Sequence, residues 1–372
     1  MMFTKGLPRS LIFLGALVVG VACAHGKAQP AASSKQTSSP IVLGYYPSWD
    51  TGISPPAIRY ELFTHLAHAF VTATTEGLLR TEGNLPSEDL TRRAHNAGVK
   101  VLLSVGGADS GAYMGDICLD DARRANFIGQ LLTMVERYGY DGIDLDWEFP
   151  RNSAERDALT TLARELREAL GKRRLLTAAQ SGTPEICRLV DMRALQDYLD
   201  FVSVMTYDIH GPWSGHAGHN APMRTPSGDR ARCTSHSLEA QMAHWRLSGS
   251  WGPERLLVGI PCYGRGFPVP RWYMDLPKKS KYAREYVAFR DVEKLLQEGW
   301  KKHWDEEAGV PWLASPTGQE IISYDDEASA KEKGAWAKKE GYGGIFFWEI
   351  TQDVVGGRNR IVEAARAGFL GH

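Results

Sequence analysis

Residues 141–150 read DGIDLDWEFP, with acids at alternate positions, Asp144, Asp146 and Glu148, and the large apolar residues Ile143, Leu145 and Trp147 between them. Strict alternation is the period of a β-strand, whose successive side chains point to opposite faces. One face of this strand therefore carries three carboxyls and the other is apolar. Neighbouring carboxylates disfavour one another's ionisation. Such a strand belongs either at a solvated sheet edge or in a site that uses the acids, and the rest of the chain decides between the two.

From residue 41 onward, eight short runs rich in β-branched and aromatic residues recur: 41–49, 65–71, 100–107, 139–150, 175–182, 201–208, 256–267 and 343–350. Between them lie segments such as DARRANFIGQLLTMVERYG and SAERDALTTLARELREALG, with apolar residues three and four apart and a closing Gly. Strand then helix, eight times over, is the α/β pattern of a (β/α)8 TIM barrel; an open doubly wound sheet is the competitor, but eight units favour closure. Active sites of such barrels sit at the C-terminal ends of the strands. The acids end the fourth run, directly before Pro150. Other runs also end in polar or aromatic residues: Trp49, Ser104, Tyr207 with Asp208, Tyr263 with Arg265, and Trp348 with Glu349. The acid face is therefore expected to point into the barrel mouth. Tyr45, Phe70, Met205 and Trp213 join the candidate binding residues, and Gly106 and Gly107 are expected to give tight backbone geometry there. A calcium loop is not expected, because Phe149 and Pro150 close the strand where such a loop needs Gly and an open coil. His210, His216 and His219 read as structural or groove-lining, and no metal or cofactor is expected.

The chain has 372 residues and a formal net charge of −1, which gives no electrostatic basis for binding nucleic acid. Lys5 and Arg9 precede an apolar run, 11–22, too short to span a bilayer, and ACA at 22–24 fits signal-peptidase cleavage. The expected organisation is a signal peptide over 1–24, a disordered linker over 25–40 and a catalytic domain over 41–372. Cys23 resembles a lipoprotein attachment site, so the expected location is secreted or periplasmic, by free export or by a lipid anchor. No transmembrane span is expected, and the expected state is a monomer. Cys118, Cys187, Cys233 and Cys262 allow three pairings; Cys187 with Cys233 is the first choice, and Cys262 reads as a buried thiol. There is no CxxC pair, which argues against a structural zinc site.

At residue level the chain resembles glycoside hydrolase family 18, the chitinase family. DGIDLDWE matches that family's signature D-G-x-D-x-D-x-E, and with it SVGG, MTYD, GIPCYGRGF, SYDD and FFWEI occur in the family's order along the chain. The resemblance implies a retaining, substrate-assisted hydrolysis of β-1,4 bonds between N-acetylglucosamine units, without a carboxylate nucleophile. It implies Glu148 as general acid, Asp146 as holder of the acetamido N–H, and Asp144 behind it sharing its proton. Tyr207 would donate to the acetamido oxygen, Ser104 would support Asp144, and Trp348 would form the floor beneath the sugar. Two departures stand out. Many members carry Trp directly after the strand-three glycines, where this chain has Ala108. The insertion between strands seven and eight, about 271–320, looks abbreviated, with one helix expected in FRDVEKLLQEGWKKHW; this implies a shallow, endo-acting groove. The expected function is a secreted chitinase. An endo-β-N-acetylglucosaminidase acting on N-glycans or peptidoglycan is the alternative. A chitin-binding lectin is less compatible, because Glu148 and Asp146 are both present.

Overall fold

The computed structural model describes residues 39–371 apart from 51, 231–235, 278–281 and 283. The expected signal peptide, Cys23, nearly all of the linker and Cys233 lie outside the described residues. Eight parallel strands form the barrel: β1 Ile41–Pro47, β2 His65–Ala73, β3 Lys100–Gly107, β4 Gly142–Trp147, β5 Leu175–Ser181, β6 Val202–Met205, β7 Leu256–Pro261 and β8 Gly344–Trp348. Each pairs with its successor, and β8 pairs with β1, so the sheet closes. The TIM barrel read from the alternation is the fold.

Alternation along the strands separates two apolar layers. Ile143, Leu145 and Trp147 are fully buried in the layer between barrel and helices. Leu43, Tyr45, Ala67, Leu102, Leu257 and Phe346 pack inside the barrel. Asp144 and Asp146, of opposite parity to the outer layer, face this interior.

The two quoted helical segments fold as Asp121–Tyr138 and Ser153–Leu170. Asp120 and Asn152 cap their first turns, each accepting from a backbone N–H three residues on. Two crossovers depart from the strand-then-helix expectation. Between β1 and β2 the chain makes only the 3-10 turns Pro55–Ala57 and Tyr60–Leu62. Between β5 and β6 it makes the one-turn helix Pro184–Cys187 and the 3-10 turn Ala194–Asp197. Pro55 and Pro184 open the first turn of each segment, and neither segment continues into a longer helix.

The seventh run is not one strand. It breaks at Cys262, and Tyr263–Phe267 leaves the barrel for a separate antiparallel sheet with Val287–Ala288, Ile321–Ser323, Val310–Ala314 and Lys301–Asp305. The insertion thus begins earlier than the expected residue 271. The helix expected over 289–304 ends at Gln297, because Gly299 takes φ +92°, and Lys301–Asp305 continues as a strand. Cys262 is a buried free thiol, as expected. Cys187 is also a free thiol and donates to the Ser181 carbonyl at 3.1 Å, while Cys233, its expected partner, lies outside the described residues. Among the described residues, no helix is long and apolar enough to cross a membrane.

Candidate active site

The C-terminal ends of the strands enclose a cleft of about 760 Å³. Asp146, Glu148, Tyr45, Tyr207, Asp208, Trp49, Phe70, Gly106, Gly107, Met205, Tyr263, Arg265 and Trp348 all line it. Three other candidates stand elsewhere. Asp144 and Ser104 are fully buried beneath the cleft, and Trp213 is 60% exposed outside the lining, with the Arg265 guanidinium 4.9 Å over its ring.

Strand register explains how Asp144 is held. Ser104, Asp144 and Thr177 pair across β3, β4 and β5, so their side chains share one layer of the interior. Ser104 Oγ donates to Asp144 Oδ2 at 2.9 Å and Thr177 Oγ1 to Oδ1 at 2.6 Å. Tyr45 Oη, from β1, adds a third hydrogen bond at 2.7 Å. Burial pushes the Asp144 carboxyl up, and these three hydroxyls oppose it by stabilising the carboxylate.

Asp146 is different. Its Oδ1 is buried without a hydrogen-bond partner. Burial first, then the carboxyls of Glu148 and Asp144, raise it well above the usual carboxylate range. The hydrogen bonds of Asp144 go to hydroxyls, so the expected sharing of a proton between Asp144 and Asp146 does not appear as a direct contact among the described residues. Glu148 follows the end of β4. Its backbone N–H donates to Ser110 Oγ at 2.7 Å, and that hydroxyl donates to the Asp146 carbonyl at 3.1 Å. Burial, then the charges of Asp208 and Asp109, push the Glu148 carboxyl up to about 7. The site thus presents two raised carboxyls on the same strand end, one of them with an unpartnered oxygen.

Aromatic rings make the wall. Phe70 stacks on Trp348 at 5.4 Å, Trp49 stacks on Phe70 at 5.9 Å, and Tyr45 tilts against Trp348 at 5.6 Å. Such faces can stack on apolar faces of sugar rings. Gly106 and Gly107 have φ of +125° and +93°; a Cβ would meet the Asp146 carbonyl oxygen at 2.0 Å and the Phe70 ring at 2.6 Å respectively. Arg265 bonds Asp208 through Nε at 2.8 Å and lies over the rings of Tyr263 and Tyr286.

Residues 41–353 match the model of the Glycosyl hydrolases family 18. The chain belongs to this family. It is 30% identical over 93% of its length to a probable endochitinase of Caenorhabditis elegans, and 31% identical over 83% to an oviduct-specific glycoprotein of Ovis aries. The chain spans 63% and 62% of those relatives' lengths. The Group IV chitinase of Ostrinia furnacalis superposes with a TM-score of 0.82 at 29% identity, covering 89% of this chain and all of that one.

Within this family 18 barrel, the cleft also takes in Thr72, Arg80, Thr81, Glu82, Asp109, Ala179 and Tyr286, which sequence reasoning missed. Arg80 lies on the two-residue strand Leu79–Arg80, which pairs it with Thr72 of β2, a pairing with no sequence signature. Thr177 was legible in principle, at a strand position of matching parity, but one hydroxyl in TAAQSG carries no signal. Ala108 lines the cleft where many members have an aromatic platform. The three histidines of the loop after β6 do not converge. His219 contacts Ser323 Oγ and Asp305 Oδ2, whereas His210 and His216 face Asp229.

Proposed function

We propose that this chain is an exported chitinase that cleaves β-1,4-linked N-acetylglucosamine polymers with retention, assisted by the substrate's own acetamido group. The carrying observation is the pairing of Asp146, buried with an unpartnered oxygen, with Glu148, a half-buried carboxyl raised to about 7. An acid raised in this way still holds its proton near neutrality and can protonate a leaving glycosidic oxygen. Asp146 Oδ1 is available to accept from an acetamido N–H, which would orient the carbonyl oxygen for attack on the anomeric carbon. The Tyr207 hydroxyl would donate to that carbonyl oxygen, and Trp348 would carry the sugar ring. Asp144 acts from behind: three hydroxyl donors favour its negative charge, and that charge favours a proton on Asp146. The names of the chitinase relatives support this choice of polymer.

The test is turnover of chitin oligomers beside a high-mannose glycoprotein and peptidoglycan. Wild type should release short oligomers from chitin, with the β-anomer appearing first by proton NMR. Glu148→Gln should fold and bind oligomers while turnover falls by a factor on the order of 10² or more. Release from the glycoprotein or peptidoglycan alone would move the assignment to an endo-β-N-acetylglucosaminidase. An α-anomer first would exclude the substrate-assisted route.

A further inference from the structure

Outside the cleft, the loop between β6 and the helix Leu238–Leu247 gathers imidazoles around one carboxylate. His216 Nε2 lies 3.1 Å from Asp229 Oδ1, and His210 Nε2 lies 3.3 Å from Asp229 Oδ2. One ligand atom of each residue falls within 4.8 Å of the others. The His210 and Asp229 side chains are each 1% exposed, and that of His216 is 13% exposed, which leaves an entry path.

The tautomer of His210 makes this cluster more than a hydrogen-bonded clamp. Its Nδ1 faces the His219 carbonyl oxygen at 3.1 Å, a contact that requires the proton on Nδ1. In a neutral ring, Nε2 then carries a lone pair. That nitrogen is buried, has no hydrogen-bond partner, and faces a carboxylate oxygen. Two lone pairs turned toward each other in a dry site are repulsive unless a cation lies between them. Metal-ligating histidines commonly donate their other ring N–H to a backbone carbonyl, which fixes the tautomer and the ring orientation. His210 has that arrangement. His236 packs its ring 5.2 Å from that of His210, and its Nδ1 is another buried nitrogen without a partner.

We propose that His210, His216 and Asp229 form a binding site for a divalent transition-metal ion of the zinc class. Two imidazoles and one carboxylate suit zinc, cobalt or nickel, whereas magnesium and calcium prefer all-oxygen shells. The remaining coordination position falls to water or to His236. The ion pins the loop that carries Trp213, and His216 in the same loop bridges to Asp275 of the insertion. Its role is to hold one wall beside the cleft, and the chemistry of Glu148 does not pass through it.

The full chain, stripped with a chelator, is titrated with zinc chloride in a calorimeter and separately with cobalt(II) followed by ligand-field absorption. The wild type should take up one equivalent, which His216→Gln should bind at least about tenfold more weakly, while His303→Gln, outside the cluster, binds as wild type. Zinc should also raise the Tm of wild type and leave that of His216→Gln unchanged. Metal-free Tm values show whether each variant folds, and Asp229→Asn serves if His216→Gln does not. Nitrogen-15 NMR of the imidazoles supplies an independent readout: zinc should move His210 Nε2 from a lone-pair shift to a metal-bound shift. No zinc uptake at micromolar concentration, uptake equal in wild type and variants, or a His210 doubly protonated and insensitive to zinc would each overturn the proposal. The last outcome would identify the cluster as an imidazolium–carboxylate clamp.

Discussion

At the scale of single residues, the three acids of β4 and its end occupy three different environments. Asp144 is held by three hydroxyl donors, Asp146 has a bare oxygen, and Glu148 stands between solvent and core. The shift in Glu148 comes first from burial and then from the charges of Asp208 and Asp109. A general acid works in its protonated form, so kcat/KM should fall as pH rises, with a midpoint near the value of about 7. Asp109→Asn removes one of the repelling charges and should move that midpoint to lower pH. A pH–rate profile that runs flat through neutrality would separate Glu148 from the rate-limiting proton transfer.

At the scale of elements, the end of β3 decides the shape of the cleft. Gly107 lies against the Phe70 ring, and Phe70 supports Trp348 by stacking. Gly107→Ala meets two obstacles at once, the φ of +93° and a Cβ 2.6 Å from an aromatic carbon. It should cost about 1–3 kcal/mol of stability, read as a lower denaturant midpoint. Because the ring that must move supports Trp348, KM for chitin oligomers should also rise. Loss of stability with an unchanged KM would show that Phe70 does not set the position of the wall. The chain reads clearly at this scale where periodicity is long, as in the helices Asp121–Tyr138 and Ser153–Leu170 with their closing glycines. It reads poorly where a short strand leaves one sheet for another. The run 256–267 is continuous in β-forming residues, and pairing with Ile321–Ser323 and Val287–Ala288 holds Tyr263–Phe267 outside the barrel.

At the scale of the whole molecule, closure and the insertion meet at Glu349, directly after β8. Thr351 Oγ1 stands 2.7 Å from Glu349 Oε1 and 2.8 Å from Asp50 Oδ2, yet a hydroxyl has one proton to give. Arg290, on the insertion's helix, ion-pairs with Asp50 and keeps that carboxylate charged. Glu349 is therefore the protonated partner, in accord with a carboxyl that burial raises from 4.5 to about 7. A folded-state value above the unfolded one means that the native state binds more protons between those two pH values. This contribution to stability is fully present below pH 4.5 and is lost as pH rises through about 7. Comparing Tm against pH for wild type and Glu349→Gln should show wild type losing ground across that window. Parallel curves would mean that the seam between β8, β1 and the insertion does not depend on this proton.

The sequence by itself determined the barrel, the face on which the acids lie and the family, because alternation, helical spacing and the run DGIDLDWE are local patterns. It also placed Tyr207, Trp348 and Phe70 at the mouth, since each lies near a strand's C-terminal end. Only the tertiary structure decided which acid is satisfied and which is left bare. The hydroxyls on Asp144 come from β1, β3 and β5, and their meeting depends on the register of parallel strands far apart in the chain. The same holds for the histidines: three lie within ten residues, yet one turns to Ser323 and two turn to Asp229. A residue's neighbours along the chain fix its face and its period. Its hydrogen-bond partners and its charge state follow from burial and from strands and loops that arrive from elsewhere, which no local pattern records.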